Sequence, residues 1–250
     1  MKSKLVIGFL TVGFVSAAAT LVSAATITHG TPVTAPVVDV DKVSTWQTTG
    51  NDMDGMRVTV TYANGGTSTE YWSDNVGAVS SDGWSLSMTD FQENTFLQTQ
   101  WLFDVDDSKG LEIASLKIEA LLADTVFDII NESSGGSIYT EHTPGSAEGL
   151  AVDINNYGRP WERTSSYSGN VHATYSGQVT YQGDSSYGDL FQTLTIDFTV
   201  GDYFGSSTGD SLAFYADTDN LKDPVPEPAT MLLFGAGMVM LAGRRAKKRK

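Results

Sequence analysis

Residues 171–181 constrain the fold more tightly than any other stretch of the chain. Val171, Ala173, Tyr175, Gly177, Val179 and Tyr181 alternate without a break against His172, Thr174, Ser176, Gln178 and Thr180. Successive side chains of an extended strand point to opposite sides, so a period of two turns one set toward a core and the other toward water. Residues 56–62 repeat the pattern, with Met56, Val58, Val60 and Tyr62 alternating against Arg57, Thr59 and Thr61. Asn64, Gly65 and Gly66 then supply a turn, because Asn and Gly accept positive φ, and residues 67–72 read as the returning strand. Further strands are expected at Trp84, Leu86 and Met88, at residues 96–103, at 126–130, at Leu194, Ile196, Phe198 and Val200, and at Leu212, Phe214 and Ala216.

Residues 110–122 satisfy two periods. Leu111, Ala114, Ile118 and Leu122 share a helical face, while Leu116, Ile118, Ala120 and Leu122 share one side of a strand. The surrounding strand signals favour strand. About eight to ten short strands separated by Gly, Asn, Asp and Ser turns define an all-β chain, an antiparallel sandwich or jelly roll.

The two ends do not belong to that body. Lys2 and Lys4 precede an apolar run over residues 5–15, and small residues around Ser23, Ala24 and Ala25 follow. That order is a secretory signal peptide, assigned to residues 1–25 and removed by signal peptidase. Residues 26–224 form the extracellular domain, and 26–50, rich in Thr, Val and Pro, are expected to be an extended lead-in. The chain has no cysteine, which excludes a disulfide framework and thiolate metal sites.

At the other end Val225, Pro226, Glu227 and Pro228 precede an uncharged segment at 229–243, and six of the last seven residues are the basic Arg244, Arg245, Lys247, Lys248, Arg249 and Lys250. Fifteen helical residues cover roughly 22 Å at about 1.5 Å each. A hydrocarbon core is about 30 Å thick, so the segment spans only with thinning of the bilayer or snorkelling of its basic flank. The basic cluster sets the C-terminus in the cytoplasm and the body outside. The Pro-Glu-Pro triplet, short apolar segment and basic end, in this order at residues 225–250, resemble the PEP-CTERM sorting signal. The resemblance implies recognition at Pro226, Glu227 and Pro228 by exosortase, a membrane protease-transpeptidase of Gram-negative bacteria that make exopolysaccharide, and removal of the tail. A second likeness runs through Trp101, Val126-Phe127-Asp128, Thr143-Pro144-Gly145-Ser146-Ala147 and residues 216–220, and resembles the body of exosortase-dependent surface proteins. It implies a surface protein and brings no catalytic residues.

Charge divides the same way. All thirty Asp and Glu lie between Asp39 and Glu227, against seven Lys and Arg, which leaves the exported part 23 charges negative. Such a surface repels nucleic acid, and it meets anionic polysaccharide only across divalent cations.

The chemistry-bearing candidates are few. Gly205, Ser207 and Gly209 match G-x-S-x-G, but a nucleophile elbow needs a strand before it and a helix after it, and strand residues follow here. His29, His142 and His172 share no metal-ligand spacing. Three acidic stretches are expected to be loops with a speculative affinity for calcium: Asp52 with Asp54; Asp104, Asp106 and Asp107; and Asp217 with Asp219. None completes an EF-hand, since Lys109 stands where glycine is needed. Trp72, Trp84, Trp161, Tyr157 and Tyr167 are candidates for stacking on sugars, although aromatic rings in β proteins more often belong to the core. The expectation is a non-catalytic surface or matrix protein associated with exopolysaccharide and biofilm. The alternatives are a carbohydrate-binding module and a secreted glycan-active enzyme, which would need two carboxylates flanking a cleft.

Overall fold

The computed structural model describes residues 25–41, 48–73, 77–88, 100–129, 149, 151–154, 163–181 and 189–221. Thirteen strands lie among them: β1 (Thr26–His29), β2 (Val38–Val40), β3 (Arg57–Tyr62), β4 (Thr67–Tyr71), β5 (Ala78–Val79), β6 (Trp84–Met88), β7 (Trp101–Val105), β8 (Ile113–Glu119), β9 (Thr125–Ile129), β10 (Asn170–Tyr181), β11 (Asp189–Phe198), β12 (Ser211–Phe214) and β13 (Asp217–Asn220). The larger sheet runs β1-β10-β11-β8-β3-β4, with β2 also on β10 and with β9 bridging β11 to β13. The smaller sheet runs β12-β7-β6-β5.

The ambiguous stretch resolves as strand up to Glu119, and Ala120–Ala123 then close a single 3-10 turn. Leu122, placed on the buried side of a strand by its period, is instead 57% exposed on that turn. The apolar stretch at 96–103 is a strand only from Trp101 onward among the described residues. Val200, expected to extend its strand, lies beyond β11 and is exposed.

The lead-in does more than lead in. β1 pairs in parallel with Asn170–Ala173, Val33 bridges Ser176, and β2 pairs in parallel with Val179–Tyr181. Residues 26–40 therefore run along β10 and cover an edge that would otherwise offer unpaired N–H and C=O groups. The remaining strand pairs are antiparallel.

The two sheets bury their facing sides against each other. Val58, Val60, Leu116, Ile118, Leu194 and Ile196 come from the larger sheet, and Leu86, Trp101, Phe103, Leu212 and Phe214 from the smaller. Aromatic rings span the interface: Phe103 lies 6.3 Å from Phe198, and Trp101 lies 6.4 Å from Phe127. Each large apolar side chain so buried stabilises the fold by about 1.5–3 kcal/mol.

The strand with the clearest alternation changes sides once. Tyr175 contacts Phe127 and Phe191 in the main core. Val179, four residues on, joins Val126 and Leu190 in a separate small cluster. Val179 pairs with Leu190, which pairs with Asp128, the immediate neighbour of Phe127 on β9, so this cluster lies on the sheet's outer face. Gly177 sits at the change with φ of +72°, a conformation that a side chain would strain. The period of two carries no mark of that switch.

Candidate functional site

Three groups of residues carry the chemistry: the acidic end of β7, the strand β13, and a groove beside the β3–β4 turn.

At the end of β7 the three aspartates take separate structural roles. Asp104 belongs to the strand itself, opposite Ser85 on β6 and Ser211 on β12, and burial pushes its carboxyl upward while the charge of Arg163 opposes the shift. Asp106 caps the 3-10 turn Asp107–Lys109: its Oδ1 accepts the Ser108 N–H at 2.9 Å. The bonds from Ser108 hold its carboxyl below the usual carboxylate range. Asp107 Oδ1 accepts the Gly209 N–H at 2.6 Å and ties the turn to the loop before β12. Asp52 likewise accepts the Thr49 N–H and hydroxyl at 2.8 and 2.7 Å.

The other acidic stretch is no loop. Asp217, Thr218, Asp219 and Asn220 are strand β13, and all four residues are buried. β13 pairs with β9 so that Asp217 stands opposite Asp128 and Asp219 opposite Val126, while Thr218 stands opposite Phe127. Phe127 faces the core, so alternation places Asp128, Asp217 and Asp219 together on the outer face. Asp217 Oδ1 accepts the Thr218 N–H at 3.0 Å. Both Oδ atoms of Asp219 are buried and accept no hydrogen bond. Burial first, and the charge of Asp217 second, push the Asp219 carboxyl well above its ordinary value. Asp128 was outside every acidic stretch read from the sequence, because it sits in an apolar run; only the register brings it to β13. Among the described residues no three His, Asp or Glu side chains are grouped as an ion-holding set.

The groove has a volume of about 580 Å³ and is open to solvent. Tyr62, Asn64, Asp82, Lys109 and Glu112 contribute to its lining. The Tyr62 hydroxyl donates to Asp82 Oδ2 at 3.2 Å, and Asn64 Oδ1 accepts the Gly66 N–H at 2.9 Å. One half-buried phenol ring, an amide and charges of both signs thus surround a single concavity.

Packing decides between core and sugar platform for three of the aromatic candidates. Trp72, Trp84 and Tyr167 are 2% exposed or less and belong to the core. Trp72 also donates its indole N–H to the Gly50 carbonyl at 2.9 Å, and Trp101 meets it edge-on at 5.5 Å. Large rings opposite other rings bury more area in a sandwich core than at its surface. Tyr157 and Trp161 lie outside the described residues.

Gly205 to Gly209 form turns that run into strand β12, and Asp210 Oδ2 accepts the N–H groups of Gly205 and Ser207 at 2.9 and 3.2 Å. His29 donates to the Val152 carbonyl at 2.8 Å. Thr28, His172 and Asp197 stand in one row across β1, β10 and β11, with Thr28 Oγ1 3.0 Å from His172 Nδ1, on the exposed face of the sheet. His142 is outside the described residues, as are the sorting residues Val225, Pro226, Glu227 and Pro228, the segment 229–243 and the basic end. Among the described residues no helix is long and apolar enough to cross a membrane.

Comparison with known proteins bears on the end of the chain. A family model described as the PEP-CTERM protein-sorting motif matches residues 224–249. No curated protein and no solved structure matches the chain.

Proposed function

We propose that this chain is an exported, exosortase-processed surface or extracellular-matrix protein whose β body is non-catalytic and associates with exopolysaccharide in a biofilm. The observation that carries the reading is the PEP-CTERM motif over residues 224–249. A Pro-Glu-Pro triplet, a marginal apolar span and a basic end match what a membrane-embedded processing enzyme needs: a recognition sequence held at the bilayer and a cytoplasmic stop. The intact mass of the surface-extracted protein tests it. The expected product begins near Ala25 or Thr26 and lacks Arg244 to Lys250. Surface material that still carries Lys250 points to a plain membrane anchor instead.

A second reading, a carbohydrate-binding module, is favoured by the groove at Tyr62. An aromatic face next to carboxylate and amide groups suits a neutral sugar, which stacks on the ring and bonds through its hydroxyls. A glycan array separates this reading from a purely structural body, and Tyr62→Ala should abolish any binding seen there. Release of sugar during the same incubation would move the assignment to a glycan-active enzyme.

A further inference from the structure

β13 is a strand that opposes its own docking. A carboxylate taken out of water without a donor or a counter-charge is among the costliest groups to bury, and such a group takes up a proton rather than remain charged. Asp219 is in that position, 1% exposed and with neither oxygen bonded. Its acidic neighbours share its face: Asp217 two residues away on β13, and Asp128 on β9. From β10, the Tyr175 phenol feels the charges of both Asp217 and Asp128, and its oxygen accepts the Val152 N–H at 2.9 Å. Among the other described neighbours, the Thr48 hydroxyl donates to the Thr218 carbonyl of β13 at 2.6 Å, and an apolar cluster lies alongside. Val126 stands opposite Asp219, Leu190 on β11 stands opposite Asp128, and Val40, Leu121 and Leu221 pack against that cluster.

Position makes this consequential. Among the named strands β13 pairs only with β9, and beyond that ladder the Thr48 hydroxyl bonds its Thr218 carbonyl. It is also the last described strand before residues 224–249. Five residues, 221–225, separate it from Pro226. Fully extended they reach about 17 Å, at 3.3–3.6 Å per residue. Freeing the four residues of β13 adds about 14 Å to that reach.

We propose that β13 is a proton-controlled latch: it stays docked on β9 while Asp219 is neutral, and it lets go as the pH rises, lengthening the tether between the body and the sorting motif. The consequence for the tether rests on reading residues 224–249 as a sorting signal; the latch itself does not.

Opening releases a proton from Asp219. The opening constant therefore grows about tenfold per pH unit from the ordinary carboxylate range up to the folded-state value, and levels off above it. Hydrogen exchange with mass spectrometry on the full-length protein in detergent reads this directly, as protection factors corrected for the intrinsic pH dependence of exchange. Peptides covering 215–221 should lose protection as the pH is raised from 5 to 8, while β7 and β12 hold theirs. Asp219→Asn should raise protection of 215–221 at pH 8 and flatten its pH dependence; Asp219→Ser, smaller and equally neutral, repeats the test if the amide does not fold.

A wild-type profile with no pH slope overturns the latch, as does a slope that both neutral variants retain. Calcium at millimolar concentration is the remaining arm. If it restores protection at pH 8 in the wild type and does nothing in Asp219→Asn, a cation rather than a proton neutralises this face and the latch as stated is wrong. The two readings fail separately: an intact tail on surface material sinks the sorting signal and leaves the latch, whereas flat exchange sinks the latch and leaves the sorting signal.

Discussion

Asp106 and Asp219 sit in stretches of almost the same letters and in opposite surroundings. Asp104-Val105-Asp106-Asp107 leaves the end of β7, where its acids find backbone N–H groups: Ser108 for Asp106 and Gly209 for Asp107. Asp217-Thr218-Asp219-Asn220 is itself a strand, buried along its whole length, and its Asp219 finds no donor. The difference shows that a carboxylate's cost is set by what the neighbouring chain offers it, not by how acidic the local sequence is. The turn and the loop beside it give N–H groups to both acids, whereas on β13 the Thr218 N–H goes to Asp217 and none reaches Asp219.

The largest expected effect breaks the docking surface from below. Phe127 stands opposite Thr218 and contacts Trp101 and Tyr175, so Phe127→Ala should destabilise the protein by about 3–5 kcal/mol in urea titration. A loss under 1 kcal/mol would mean that β13 and its neighbours repack freely around the hole.

Next is the clasp on the loop before β12. Asp210→Ala leaves the N–H groups of Gly205 and Ser207 without their acceptor and should cost on the order of 1–2 kcal/mol. Thermal melting checks it.

The pH dependence gives Asp106 and Asp219 opposite signs. Asp219 has a folded value above its unfolded one, so its contribution is fully present below the ordinary carboxylate range and is lost as the pH rises through the raised value. Asp104 and Asp210, also pushed up by burial, act in the same direction. Asp106 is held below its ordinary value, so it stabilises above that value and the gain is lost as the pH falls through the lowered one. Melting temperatures of the wild type and Asp219→Asn should therefore diverge upward from the carboxylate range, with the variant higher at pH 8. Curves that run parallel would mean that Asp219 titrates alike in the folded and unfolded states.

The smallest effect is at the exposed cap. Asp106→Ala should lower the melting temperature slightly, and that difference should disappear toward pH 2, where the capping carboxylate is protonated in either state. A large loss would show that the end of β7 is held more tightly than an exposed turn requires.

Much of the fold was readable because alternation maps onto burial one residue at a time. Val58 and Val60 are buried and Arg57 and Thr59 less so, as the period says. The strand choice at 113–119 followed from its neighbours. Trp72, Trp84 and Tyr167 stood between core and sugar platform in the sequence, because a ring looks the same there whether it faces a partner sheet or water, and burial places them in the core. Asp217 and Asp219 were read as a loop because acidic residues are depleted in strands on average, and average propensity yields to the pairing a strand finds.

The chain by itself determined an acidic period-two body without cysteine and a PEP-CTERM end matched at 224–249. Such features depend on local composition and spacing, which a linear chain carries in full. Tertiary structure alone decided that residues 26–40 cover the edge of β10, that one strand's side chains change face at Gly177, and that Asp128, 91 residues from Asp219 along the chain, shares its buried face. Those outcomes depend on register between distant strands, where a shift of one residue would turn each side chain to the opposite face.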